Sequence, residues 1–357
     1  MSATSSIHLR GLQATRYLKA LAAARGRYPD AVAYASSQNW KNTPDVAMAL
    51  KAAMGAMNTE DEAALLGPVG FDYAEFLRPQ TILGRLIGLR RIPFQTRMVS
   101  QSGGLMAHWV GEQNPKPISR ADFAGDTLLP ATVAAIAVIS EELARSSAPS
   151  AESALSRDLS RAGAEAMDRA FIDPANAGIV NVKPASVAHG SPQFVSTGGT
   201  VANIDDDVAQ LIDSLSDAGS DLTFAAWVML PRTATYLSRL RGPGDGAPSY
   251  PSITAKGGVL MGLPVITSAN VPIAVGTGNP SSIVLLDPSE ISVADDGDAK
   301  LDVTNEATVQ MTSEPETGAT EQVSLWQCNL VGLRAERMVN WKRRHPGMVA
   351  SLTGVSY

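Results

Sequence analysis

The sequence predicts an α+β subunit built around one long helix, several short strands and an extended two-stranded ribbon. Three observations carry this. Leu155, Leu159, Ala162, Ala166, Ala170 and Phe171 recur at helical spacing after Pro149 and Ser150, a single apolar stripe over about six turns that stops at Asp173-Pro174. Short apolar or alternating runs at Ala225–Leu230, Gly262–Ser268, Ser282–Leu286 and 290–312 have strand character. Between residues 92 and 109, alternating Ile92, Phe94, Thr96 and Met98 lead into Gln101-Ser102-Gly103-Gly104. The glycines there are free to take positive φ, and Leu105, Ala107 and Trp109 form a return face.

The ribbon has too little apolar surface to stand alone, because an isolated two-stranded hairpin is marginal in water. It needs another molecule to lie on. That argues for a self-assembling lattice or shell over a monomeric enzyme.

The remaining elements follow in order. Leu12, Tyr17, Leu18, Leu21 and Ala24 predict a short amphipathic helix, interrupted by Pro29 and Ser36-Ser37-Gln38-Asn39. A second helix spans 44–57, with Thr43 as N-cap and Pro44 at its first position. Gly67-Pro68-Val69-Gly70 breaks the chain, so residues 1–66 are expected to form an arm loosely tied to the body. Residues 71–90 hold a short helix and a strand, and Asp122–Ile139 returns as an extended segment. Ser140 is expected to cap a helix with Glu141 and Glu142 in its first turn. Asp205-Asp206-Asp207 marks a helix start, with Val208, Leu211, Ile212 and Leu215 as its stripe. Pro231–Leu240 forms a helix, and the Gly- and Pro-rich 241–258 a loop or tip. Residues 321–333 are apolar on one helical face, and Met338–Leu352 is extended.

Composition narrows the function. The hydrophobic fraction of the 357 residues is 45%, enough for a sizeable core. Charged residues make up 18%, below the usual quarter or so, as expected of a surface covered by neighbours. A net charge of −6 disfavours a strongly basic nucleic-acid binder. The charge is uneven: residues 1–29 carry Arg10, Arg16, Lys19, Arg25 and Arg27 and no acid, while residues 290–321 carry nine acids against Lys300. The basic end suits a polyanion or an acidic neighbour, and the acidic end would repel both. Cys328 is the single cysteine, which excludes an intrachain disulfide. No run is long enough to cross a bilayer.

Chemistry-bearing patterns are missing. His8, His108, His189 and His345 are scattered without ligand-spaced partners, and neither a nucleophile elbow nor a phosphate loop is present. Pro243 and Ala247-Pro248 prevent the helix start that Gly242–Gly246 would need to hold phosphate. Asp295-Asp296-Gly297-Asp298 lacks the ligand spacing of a calcium loop. The expectation is a structural protein with no catalytic residue, cofactor or metal.

Six stretches in order resemble the major capsid proteins of tailed bacteriophages, with the Hong Kong 97-type fold. They are Trp109-Val110-Gly111-Glu112 with Pro115-Lys116-Pro117-Ile118-Ser119; Ile139-Ser140-Glu141-Glu142-Leu143; Met167-Asp168-Arg169-Ala170-Phe171-Ile172; Leu260–Val265; Ser268-Ala269-Asn270-Val271-Pro272; and Leu333-Arg334-Ala335-Glu336-Arg337 with His345-Pro346-Gly347. The resemblance covers about residues 65–350.

It implies an N-terminal arm (1–66), a peripheral domain (67–90, 126–185 with its spine helix, and 320–357), an extended loop (91–125) and an axial domain (186–319) with 241–258 as a candidate tip. It implies pentamers and hexamers closing into an icosahedral shell around double-stranded DNA, in the virion after assembly in the host cytoplasm. Partners would be further copies of the chain, with portal, scaffolding and decoration proteins. The short, weakly charged pre-body segment argues for a separate scaffold or none, and little or no cleavage. Some relatives cross-link through a Lys–Asn isopeptide bond; here Asn329 is shifted, and Ala335 and Glu336 straddle the place of the base, so Lys116 is not expected to cross-link. Gly103, Gly104, Trp109, Glu112 and Lys116 are the expected interface residues. Two alternatives stay open: an encapsulin-like nanocompartment of the same fold, and a soluble α/β enzyme.

Overall fold

The computed structural model of the chain describes residues 12–38, 40, 45–55, 77, 80–101, 123–142, 149–242, 246–274, 280–297, 299–310 and 322–357. Helices α1 (Leu12–Ala23), α2 (Tyr28–Ser37), α3 (Asp45–Gly55) and α4 (Ile82–Arg85) come first. Strands β1 (Arg90–Arg91), β2 (Arg97–Gln101), β3 (Phe123–Thr127) and β4 (Thr132–Ser140) lead to helix α5 (Pro149–Ile172). Then follow β5 (Gln193–Val195), α6 (Val201–Asp217), β6 (Ala226–Met229) and α7 (Pro231–Arg239). Strands β7 (Ile253–Thr254), β8 (Gly257–Leu260), β9 (Leu263–Thr267) and β10 (Ser281–Leu286) come next. The chain ends through β11 (Ile291–Asp295), β12 (Lys300–Thr304), β13 (Thr308–Gln310), β14 (Gln322–Ser324), β15 (Leu330–Arg343) and β16 (Val349–Val355). The α+β class and most predicted elements are present.

The chain divides into two compact units. The first comprises Met1–Gly84, Thr132–Ala166 and Gly297–Met338; the second comprises Arg85–Ala131, Met167–Asp296 and Val339–Tyr357.

In the first unit, residues 330–338 of β15 pair antiparallel with β4 on one side and β12 on the other. Alternation along β15 turns Val331, Leu333 and Ala335 inward, where they are buried. Helices α1 to α3 cover that face: Ala14, Tyr17, Leu18, Leu21, Ala31, Val46 and Leu50 form one core with Leu301, Val331 and Leu333. This corrects the expectation of a loosely tied arm, at least for the helices at 12–55. Their apolar faces are the lid of a half-open sheet, and burying both surfaces is what holds them there. Pro29 likewise does not interrupt the chain: it stands in the first turn of α2, where its missing N–H is not needed. Gly26, at φ +76°, closes α1 instead, its N–H donating to Leu21 O at 2.8 Å.

Of the stretch 321–333, expected to be apolar on a helical face, residues 322–333 are strand, turn and strand. Leu330 N–H returns to Leu325 O at 2.9 Å, and Asn329 turns the chain at φ +51°. Val331, Leu333 and Ala335 satisfy period two once β4 and β12 lie alongside.

The second unit is built on a mixed sheet in the order β5-β16-β10-β6-β9-β8-β7. Its central strands β6 and β10 are buried on both faces, so they read as continuous apolar runs. Helix α6 packs Ile204, Val208, Leu211 and Leu215 into the same core as Trp227, Leu285 and Leu352. Its cap is Thr200, whose side chain accepts from Asn203 N–H at 3.3 Å, so α6 begins earlier than the aspartates suggest. Asp207, buried, instead accepts hydrogen bonds from Thr197 and Ser196. In this unit residues 339–343 of β15 pair with β11, which pairs with β1.

Helix α5 spans its predicted length and ends before Asp173-Pro174, but its buried side is rotated. Of the predicted stripe, Ala170 and Phe171 are buried but Ala162 and Ala166 are exposed, Ser160, Gly163, Ala164, Met167 and Asp168 being buried in their stead; the side chains of Leu155 and Leu159 lie outside the described residues. Alanine is small enough for either face, so the larger Met167 and Phe171 decide the side.

Candidate functional site

Gly103, Gly104, Trp109, Glu112 and Lys116 lie outside the described residues, as does the predicted Gln101–Gly104 turn beyond Gln101 itself. The stem that carries them is described: β2 pairs antiparallel with β3, from Arg97↔Thr127 to Gln101↔Phe123. The partner of β2 among the described residues is β3; the return face expected at Leu105, Ala107 and Trp109 lies outside the described residues. The predicted alternation from Ile92 begins as strand only at Arg97, because Gln95 takes φ +60° and bonds Leu128 O.

A polar clasp joins two of the six motif stretches inside the second unit. Asp168, near the end of α5, accepts at Oδ2 from Ser268 Oγ and from Asn270 Nδ2, both at 2.9 Å. Ser268 Oγ also accepts from Asn270 N–H at 3.2 Å, and Ser268 N–H donates to Met229 O. Asp168 is buried, and an unpaired carboxylate there would be costly. Arg85 is held below its ordinary pKa by burial, opposed by the charge of Asp168. An aspartate on an otherwise apolar helix side was the available sequence signal.

Around it, Phe171 meets Trp341 edge to face at 5.3 Å between ring centroids. Trp341 Nε1 donates to Ala185 O at 2.9 Å, and Arg343 donates to His189 O and Pro346 O.

Several residues of the charged segments are engaged within their own units. Arg25 forms a two-point ion pair with Glu141, at 2.7 and 3.2 Å. Arg27 pairs with Asp30 at 3.0 Å, Arg16 lies over the Trp40 ring, and Lys19 is buried. On the acidic side, Arg334 pairs with Asp302 and Glu336, and Arg344 with Glu290. Of the basic N-terminal residues, Arg25 ties the chain after α1 to Glu141, just beyond β4.

Within the second unit a groove of about 570 Å³ runs between residues 127–131, 177–189 and 340–346. Among the described residues, no group of three or more His, Cys, Asp or Glu could hold a metal, and no helix is long and apolar enough to span a membrane.

A sequence model of the phage capsid family matches residues 88–347. The chain belongs to the phage capsid family. Among curated members of this family, it is 38% identical over 363 aligned positions to a capsid polyprotein of Pseudomonas phage PAJU2, covering 97% of this chain and 54% of that one. It is 28% identical to the major capsid protein of Klebsiella oxytoca phage phiKO2, over 76% of this chain and 63% of that one. The chain thus spans between half and two thirds of the length of these relatives. Solved structures share the phage capsid fold. One from Mycobacterium phage Ogopogo has TM-score 0.55 at 19% identity, covering 77% of this chain and 92% of that one. The capsid of a native GTA particle has TM-score 0.52 at 16% identity, covering 75% and 88%. The Hong Kong 97-type architecture implied by the motif order is the fold of this capsid-family chain.

Proposed function

We propose that the chain is a major capsid subunit whose copies form pentamers and hexamers of an icosahedral shell enclosing phage double-stranded DNA. The observation that carries this reading is the family match across residues 88–347. The role is structural, and the virion is its place of action, after assembly in the host cytoplasm. The β2/β3 stem would carry residues 102–122 onto an adjacent subunit, with Gly103, Gly104, Trp109, Glu112 and Lys116 at that contact. Portal, scaffolding and decoration proteins are partners of the same reading, and packaged DNA is held by non-specific contact. The shell holds by burial repeated through symmetry, without cross-links.

Electron microscopy of the purified full chain after size-exclusion chromatography tests this. Closed shells, or free pentamers and hexamers, are expected. A strict monomer, with or without crowding agent and scaffold, would overturn the reading. Shells loaded with enzyme cargo in place of DNA would replace it with a nanocompartment.

A further inference from the structure

Each unit holds a braced feature that presents apolar surface to water. In the first unit it is a single aromatic. Trp227 and Trp341 are buried and Trp40 is half-buried, whereas Trp326 is 72% exposed. The turn that carries Trp326 is anchored on both sides. Leu325 is fully buried, and its N–H donates to Ala307 O at 3.0 Å. Its side chain lies against Gly332, where an added Cβ would sit 3.0 Å from Leu325 Cδ1. Cys328 N–H returns to Ser324 O at 3.3 Å, and Leu330 N–H to Leu325 O at 2.9 Å. An indole held out in this way leaves roughly 200 Å² of burial unused.

In the second unit the feature is the groove beside the loop after α5. Its wall includes Leu129, Ile179, Val180 and Val182, which are 47%, 52%, 87% and 63% exposed. Ile179 and Lys183 exchange backbone hydrogen bonds at 2.8 and 2.9 Å, and Asn176 Nδ2 donates to Ala170 O and Pro184 O. Gly178 turns at φ +77°, where an added Cβ would sit 2.6 Å from Ala185 N. Apolar surface fixed in water is costly unless covered, and a preformed surface loses little entropy when it is. Arg343 also lines the groove, held by His189 O and Pro346 O. A guanidinium fixed by carbonyls is a stacking partner for an indole. The turn Ser324–Asn329 carries no charged residue, so it brings nothing that Arg343 or Lys183 would repel.

We propose that Trp326 of one copy inserts into this groove of a second copy, its ring covering Ile179 and Val182 and stacking on Arg343. The inference rests on the shell reading above, and that reading points to a second copy as the occupant. Pentamers and hexamers are rings, and a ring contact joins two different patches of the same chain. The turn belongs to the first unit and the groove to the second, so the contact is of that heterologous kind.

The test uses the full chain. Trp326→Ala and Val182→Asp change exposed positions, so far-ultraviolet circular dichroism and the urea midpoint should stay at wild-type values. Shell yield should fall at least tenfold in each, and the double variant should be no worse than the poorer single one, because both remove one contact. A benzophenone side chain at position 326, in shells of mixed isotope-labelled copies, should photocross-link to residues 127–131 or 177–189 of another copy. In wild-type protein, hydroxyl-radical labelling of Trp326 and Ile179 should drop at least tenfold between unassembled subunits and shells. That measurement needs no variant. Wild-type yield from either substitution, labelling unchanged by assembly, or cross-links that avoid the groove in favour of a scaffolding or decoration protein would overturn the proposal. A strictly monomeric wild type would overturn the shell reading and this contact with it, whereas shells that form without the contact overturn the contact alone.

Discussion

Asn270 donates from its side-chain nitrogen to Asp168 Oδ2 at 2.9 Å, across 102 positions of sequence. The clasp ties the last turn of α5 to the chain leaving β9, and Ser268 completes it. It uses one buried carboxylate to satisfy a buried hydroxyl and a half-buried amide.

Removing that acceptor should be expensive. Asp168→Ala leaves the Ser268 hydroxyl and the Asn270 amide unpaired, a cost of about 3 kcal/mol. Urea unfolding of the unassembled subunit should show this as a lowered midpoint with little change in slope. A wild-type midpoint would show that the clasp is not stabilising.

The N-terminal helices should behave as core. Leu18 is fully buried against the sheet of the first unit. Leu18→Ala should cost about 3 kcal/mol from lost transfer and the cavity left behind. A surface control such as Ala33→Ser should stay within about 0.5 kcal/mol. Equal stability of the two variants would mean that the arm is detached in solution.

Alkaline pH should weaken the second unit through Tyr250. Burial, then its 2.6 Å hydrogen bond to Asp205, raises the phenol above its ordinary value. A raised folded pKa means the contribution is complete below the unfolded value of about 10 and is lost as pH rises through the folded one. Tyr357 is raised as well, by burial first, and acts with the same sign. Stability should fall from about pH 10 upward, and Tyr250→Phe should blunt that fall while costing about 1 kcal/mol at neutral pH. Identical alkaline slopes for wild type and Tyr250→Phe would refute this assignment.

Trp109 should matter to the shell more than to the subunit. If it anchors the ribbon on a neighbour, Trp109→Ala leaves the unfolding midpoint within about 0.5 kcal/mol and lowers shell yield about tenfold or more, as truncation of a buried aromatic anchor does. Normal shell yield with a depressed midpoint would place Trp109 inside its own subunit.

Some of this molecule is decided locally. Helix α5 has both its predicted ends because Pro149 can begin a helix and Asp173-Pro174 cannot continue one. Strands β6 and β10 are legible because fully buried strands need unbroken apolar runs. The six motif stretches, in their order, were enough to reach the capsid family. The interface residues inferred with them were legible only through that resemblance, since a contact surface has no periodicity of its own.

Other features required the tertiary structure. The side on which α5 is buried depended on Met167, Asp168 and Phe171 finding partners, which alanine spacing cannot report. Residues 330–333 became strand because β4 and β12 offered ladder bonds that a helical reading does not anticipate. The first helices became core because a half-covered sheet needed their apolar faces. Periodicity and turn chemistry act within a few residues, whereas burial and strand pairing are settled between residues far apart in the chain, and no local pattern records which distant surface will arrive.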